Sequence, residues 1–214
     1  YQHPEETFQI LLKIHDMSEP LSRVKEALME GNGEFDIDRH TGLSAHEFYT
    51  QWNLTQLKHL GITEKAKAKK LAEEIDTKWF EHAKIFVYPE VRDTLHCLRQ
   101  MGLGLGIVTG GYEDDIEKIL PKAGLNEFFD VCVGVDTVGK RKPHPAPFQY
   151  ALEKFNVRPD EAIFVGDDYK SDYLGAKDVG MIPILVCREG SAASGVRAIS
   201  RLDEIFEIIR QVDN

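Results

Sequence analysis

Over the first 85 positions apolar residues recur at helical spacing, and no stretch alternates with the two-residue rhythm of a strand. Phe8, Leu11 and Leu12 share one face, as do Leu21, Val24 and Leu28, and further on Leu71, Ile75 and Trp79. Ser44 and Thr63 are placed to cap helix N-termini. Ser44-Ala-His-Glu47 has the spacing of a capping box, in which the serine and glutamate side chains each satisfy the other residue's backbone N–H. Gly31-Asn32-Gly33 and Thr41-Gly42 break the pattern and are expected between helices. The pattern predicts a small all-helical domain over 1–85.

From Val87 the rhythm changes to short apolar runs alternating with amphipathic stretches. A helix carrying Val91, Leu95 and Leu98 stops at Gly102, a residue suited to the left-handed position after a helix end. The run Leu103–Val108 predicts a strand; a helix over about 112–122, a strand over 131–135 and a helix over 147–156 follow. A strand over 162–165, a helix ending at Gly180, the strand Ile182–Val186 and a last helix with Leu202, Ile205, Phe206 and Ile209 complete the series. Strands alternating with helices imply right-handed crossovers and a parallel sheet covered on both faces, so 86–214 is expected to be an α/β domain. Ligands of such sheets bind beyond the carboxyl ends of the strands. The loops after each strand are therefore where chemistry is to be sought.

Charge narrows the partners. With 26 lysines and arginines against 36 aspartates and glutamates, the net charge of −10 argues against nucleic acid. No apolar run approaches the roughly 20 residues a membrane helix needs, so no membrane association is expected. Cys97, Cys132 and Cys187 show no metal-ligand spacing, and Cys132 and Cys187 lie in apolar segments. They read as buried reduced thiols, as expected of a cytoplasmic protein.

Three strand-end loops carry suggestive groups. Thr109-Gly110-Gly111 offers a hydroxyl and unhindered backbone N–H groups at the start of a helix, a fit for phosphate oxygens. Gly139-Lys-Arg-Lys-Pro-His-Pro145 concentrates three cations, with Lys142 restrained by Pro143; such a lysine neutralises charge on a phosphoryl group or on a carboxylate. Asp167, Asp168 and Asp172 crowd the end of the 162–165 strand. Their repulsion calls for a cation, and hard oxygen donors favour Mg²⁺. Each signal has a plain structural reading beside it: a turn, a solvated basic loop, and an Asp-rich turn in which Ser171 or Asp172 caps the next helix.

Taken together, Thr109, Lys142 in Lys-Pro-His-Pro, and Gly166-Asp-Asp-Tyr-Lys-Ser-Asp172 resemble the second, third and fourth motifs of the haloacid dehalogenase superfamily in order and spacing. The resemblance covers 86–187. It implies a Rossmann-like parallel core and makes 1–85 a helical cap, with Tyr88-Pro89-Glu90 as the hinge. It further implies an Mg²⁺-dependent phosphohydrolase that forms an aspartyl-phosphate with a small phosphorylated metabolite. Asp167 would be the direct metal ligand, supported by Asp172 or Asp168. Thr109 and the Gly110 amide would bind phosphate oxygens, and Lys142 would hold the charge of nucleophile and phosphate.

No position matches the first motif, which bears the nucleophile and its acid–base partner. Asp36-Ile-Asp38 copies the spacing but follows Gly-Asn-Gly rather than a strand. The stretch Asp36–Glu47 also imitates a calcium loop, with Thr41 where glycine is expected. In the family the first strand lies mid-sheet, and without it two neighbouring strands lack partners, at a cost of about 1–3 kcal/mol per buried unpaired group. The expectation is that roughly 15–20 residues upstream of Tyr1 supply that strand and nucleophile. A haloacid dehalogenase is the nearest rival, disfavoured by the acid-rich fourth motif. Phosphonate cleavage through a cap lysine is a further alternative, for which no lysine stands out. A non-catalytic phospholigand-binding protein is the reading from another class. The leaving group would be chosen by cap side chains, with Tyr49, Trp52, Lys58 and His59 as candidates; nothing in the sequence fixes the oligomeric state.

Overall fold

The structure, a computed structural model, describes residues 4–40, 42–190 and 192–212, with backbone alone at 38, 39 and 212. The Asp38 side chain of the Asp36-x-Asp38 pair and Thr41 of the calcium-loop imitation lie outside the described residues. The chain divides into two compact units, Tyr1–Phe86 and Val87–Asn214.

Among its described residues the first unit has four helices, α1 (Pro4–Ile14), α2 (Leu21–Glu34), α3 (Ala45–His59) and α4 (Lys65–His82), with a short 3₁₀ turn at Ile37–His40. Their shared core is Phe8, Leu11, Leu12, Val24, Leu28, Leu57, Leu71, Ala72 and Ile75. Leu21, expected on that face, is exposed because it opens its helix. Ser44 forms the expected capping box with Glu47 at the start of α3. The cap of α4 is Glu64 rather than Thr63, its carboxylate accepting from the Ala66 and Lys67 amides. The glycines at 31 and 33 do not break α2. Gly31 is buried within the helix, and a Cβ there would lie 2.0 Å from the Gln56 side chain of α3, so glycine serves close helix packing. Of the candidate cap side chains, Trp52 donates to Asn32 at 2.9 Å, Lys58 pairs with Glu34 at 2.6 Å, and His59 lies between Glu30 (3.2 Å) and Glu34 (2.9 Å). Tyr49 packs edge-on against Phe48.

The second unit runs α5 (Val91–Gln100), β1 (Gly106–Val108), α6 (Glu113–Ala123), β2 (Val131–Val133), α7 (Val135–Val138), α8 (Pro145–Phe155), β3 (Ile163–Gly166), a π-helical turn (Tyr169–Leu174), α9 (Gly175–Asp178), β4 (Ile182–Val186), β5 (Ala198–Ile199) and α10 (Ile205–Val212). The pairing is parallel throughout. The strands form two sheets, β1-β2 and β3-β4-β5, not the single sheet the pattern suggests. β1 and β3 each have a strand on one side only among the described residues, and both are half-exposed rather than buried as interior parallel strands are. Leu103 falls outside β1, and β5, two residues long, is too short for a periodicity to reveal. Ile184, Ile199, Ile205, Ile208 and Ile209 pack with Leu98 of α5, and Leu95 on the same helix packs with Leu125 and Phe128. All three cysteines are free thiols; Cys97 is exposed, and Cys132 in β2 and Cys187 just after β4 are half-buried rather than buried. No helix among the described residues is long and apolar enough to cross a membrane.

Glu90 opens α5 and is buried, with Arg188 donating to it at 2.8 Å while stacking on the Tyr88 ring. The Arg188 bond holds the Glu90 carboxyl below its usual range. A depressed folded pKa means the contribution is present above the unfolded carboxylate range and is lost as pH falls through the folded value. Urea midpoints of wild type and Glu90→Gln should therefore differ at neutral pH and converge in acid; a gap that persists below pH about 3 would contradict this.

Candidate active site

Thr109, Lys142 and Asp167 each sit in a loop beyond the carboxyl end of a parallel strand: after β1, after β2 and α7, and after β3. The first loop is tied down at most of its backbone groups. Thr109 N–H donates to Val133 (2.9 Å), Gly111 N–H to Thr109 Oγ1 (3.1 Å), and Tyr112 N–H to Asp115 (2.9 Å). The Gly111 carbonyl accepts from Val135 N–H at 2.8 Å. The Gly110 N–H has no partner among the described residues, and Gly110 is exposed. The loop thus presents a hydroxyl and one open amide before the N-terminus of α6, which suits an anion.

Lys142 precedes a cis Pro143 and is mostly buried, its side chain 11% exposed. Its ammonium donates to Asp172 Oδ1 at 2.5 Å and lies 5.2 Å from the Phe164 ring centroid. Two of its three N–H donors have no protein acceptor among the described residues. His144, two residues on, caps α8 by accepting from the Ala146 amide.

Asp172 is buried in the π-helical turn, and both of its oxygens are taken. Oδ1 holds Lys142, and Oδ2 accepts from the Asp167 and Asp168 amides, each at 3.1 Å. Gly166 makes room for it: a Cβ there would lie 2.4 Å from the Asp172 Cβ. Asp168, rather than Ser171 or Asp172, caps the turn, accepting from Ser171 N–H (2.5 Å) and Oγ (2.8 Å). The Ser171 amide foremost, with its hydroxyl next, holds the Asp168 carboxyl below the usual range. Asp167 is exposed, and its carboxylate has no partner among the described residues.

The three acids therefore divide the work, and no three His, Cys, Asp or Glu side chains converge as a cage among the described residues. Mg²⁺ needs six oxygens but keeps several waters and commonly uses one or two protein carboxylates beside substrate phosphate. An exposed Asp167 at a strand end, without a carboxylate partner among the described residues, fits one place in such an open shell. It does not fit a closed structural site.

One feature escapes the sequence, which shows Arg141 only as one cation among three. Arg141 donates to the Gly110 carbonyl and so joins the first two loops. With it, a continuous chain of contacts runs from Thr109 through Gly110, Arg141, Lys142 and Asp172 to the Asp167 amide.

A family model described as haloacid dehalogenase-like hydrolase matches residues 15–186. The chain is 41% identical over 124 residues to glyceraldehyde 3-phosphate phosphatase of Pyrococcus furiosus, covering 53% of this chain and 51% of that protein. It is 41% identical over 93 residues to pyrophosphatase PpaX of Bacillus cereus, covering 44% and 43%. The chain thus spans about half the length of the curated relatives it matches. Among solved structures, a HAD phosphatase from Thermococcus onnurineus aligns with TM-score 0.64 at 27% identity, covering 96% of this chain and 87% of that one. A putative HAD-hydrolase, YfnB from Bacillus subtilis, bound to magnesium, aligns with TM-score 0.77 at 18% identity, covering 98% and 92%, a likeness of fold alone.

Proposed function

Since the chain belongs to the haloacid dehalogenase-like hydrolase family, we propose that its second unit is the phosphate- and metal-binding part of a phosphatase for small phosphorylated metabolites. The observation that carries this is the contact chain from Thr109 to Asp167, which couples an anion seat, a buried lysine and a metal-type carboxylate across three strand ends. Relatives named as phosphatases support the same reading.

On this reading Thr109 Oγ1 and the Gly110 N–H donate to phosphate oxygens. Lys142, held by Asp172, adds fixed positive charge where negative charge builds in the transition state. Asp167 is the chain's own ligand for Mg²⁺, which when bound would offset the charge of the transferring phosphoryl group. Asp168 keeps the loop shape through Ser171, and Asp172 keeps it through two amides. The nucleophile would be an aspartate on a strand outside these 214 residues, giving an aspartyl-phosphate that water hydrolyses. The unpaired edges of β1 and β3 support such a strand. The helical unit, 1–86, would act as the cap that chooses the leaving group. The three free thiols support a reducing, cytoplasmic setting.

The test is hydrolysis of an aryl phosphate by the protein carried with its upstream sequence, with and without Mg²⁺. Magnesium-dependent release of phosphate is expected. Its absence would overturn the phosphatase reading, and metal-free turnover of a 2-haloacid in its place would make the protein a dehalogenase.

A further inference from the structure

The basic loop contributes three cations, and the phosphatase reading gives only Lys142 a role at the phosphate. Lys140 is exposed with no partner among the described residues. Arg141 turns toward the loop after β1. Its guanidinium donates to the Gly110 carbonyl and hydrogen-bonds the hydroxyl of Tyr112, whose ring centroid lies 5.7 Å from the guanidinium carbon. Tyr112 is 1% exposed and so gives Arg141 a rigid backstop.

The Gly110–Gly111 peptide is trans, since the cis bond among the described residues lies at Lys142–Pro143. In a planar trans peptide the C=O and N–H point in opposite directions. Here the oxygen goes to Arg141 and the N–H to Thr109 Oγ1 at 3.1 Å. Arg141 is the only group that holds this oxygen among the described residues. Glycine flanks the bond on both sides, so the peptide can rotate without a Cβ to resist it; a Cβ at Gly110 would meet nothing within 4 Å. The neighbouring peptide, by contrast, is fixed independently by Val135. With Oγ1 acting as the acceptor for Gly111, the Thr109 hydroxyl proton is not spent on that bond and remains a donor for phosphate.

We propose that Arg141 is a positioning residue for Thr109: by gripping the Gly110 carbonyl it sets the Gly110–Gly111 peptide, and through that peptide the orientation of the hydroxyl that meets phosphate. This rests on the phosphatase reading for the role of Thr109 and adds to it a residue that touches no substrate. Arg141 also ties this setting to Lys142, its neighbour in the chain, so the two phosphate-facing groups keep a common register. A purely electrostatic role for Arg141 would act on phosphate whatever stands at position 109, whereas a positioning role requires the Thr109 hydroxyl.

A double-mutant cycle separates the two. In the protein carrying its upstream sequence, Arg141→Met, Thr109→Ala and the double variant are compared for kcat/KM on an aryl phosphate and for the Kd of inorganic phosphate. Arg141→Met is expected to lower kcat/KM by roughly tenfold, and the double variant to be no worse than Thr109→Ala alone, a coupling within the range seen for residues in one hydrogen-bond network. Losses that multiply would overturn the positioning role and leave Arg141 an independent source of charge. If Arg141→Met does not fold, as judged by its urea transition, Arg141→Lys takes its place in the same cycle. If wild type lacks turnover, phosphate Kd carries the cycle. If Thr109→Ala changes neither kcat/KM nor Kd, the phosphatase site itself fails and the inference falls with it; a loss at Thr109 with no coupling sinks the inference alone.

Discussion

Asp167→Ala should lower Mg²⁺-dependent turnover about 10³-fold, the size of effect expected when several kcal/mol of transition-state charge stabilisation is lost. It should leave folding stability within about 0.5 kcal/mol of wild type. The separation follows from the geometry. The Asp167 carboxylate is exposed and unpartnered among the described residues, so removing it breaks no bond within the protein. The loop is shaped instead by the Asp167 amide, which the alanine variant keeps and which continues to donate to Asp172. A binding readout needs no turnover. Mg²⁺ at 100 times its Kd should stabilise wild type by about 2.7 kcal/mol through mass action, and chelation should reverse this. Asp167→Ala should show no such gain. A metal-dependent stabilisation that survives the substitution would place the metal elsewhere.

The alternation of short apolar runs with amphipathic stretches made the α/β unit legible, because buried parallel strands and covering helices leave their periods in the sequence. The same logic failed at Gly31, where glycine signals a break by propensity but serves a close approach to Gln56. That constraint is tertiary and leaves no local trace. It failed again at 168–172, where any of several acids and serines could cap the turn; burial decided it, sending Asp172 inward to Lys142 and leaving Asp168 to cap. The residues of the candidate site were legible as types at spacings, yet their division of labour was not. Nothing local distinguishes Asp167, which faces solvent, from Asp172, which is buried. Arg141 was hidden for the same reason, since its partner is a backbone carbonyl and backbone carbonyls have no sequence signature.

Asp172→Ala should be the most damaging single change to the folded protein, costing about 3–5 kcal/mol in urea denaturation and abolishing measurable turnover. The side chains of Lys142 and Asp172 are 11% and 7% exposed, so removing the acid strands a charge that water reaches poorly. It also leaves the Asp167 and Asp168 amides without their acceptor. Lys142→Met should cost a similar amount by stranding the acid. Combining Lys142→Met with Asp172→Asn should recover most of the stability, because no buried charge then remains and an amide oxygen can still accept from the two N–H groups. Turnover should not return, since the positive charge at the phosphate is gone. Gly166→Ala offers an independent route to the same failure: its Cβ would displace Asp172 without altering any charge. The effects should persist at high salt, because a buried pair is screened far less than a surface one. A loss below about 1 kcal/mol for Asp172→Ala would mean the pair behaves as a surface ion pair and does not hold Lys142 in place. A double variant that regained turnover would show that the fold needs the pair and the chemistry does not.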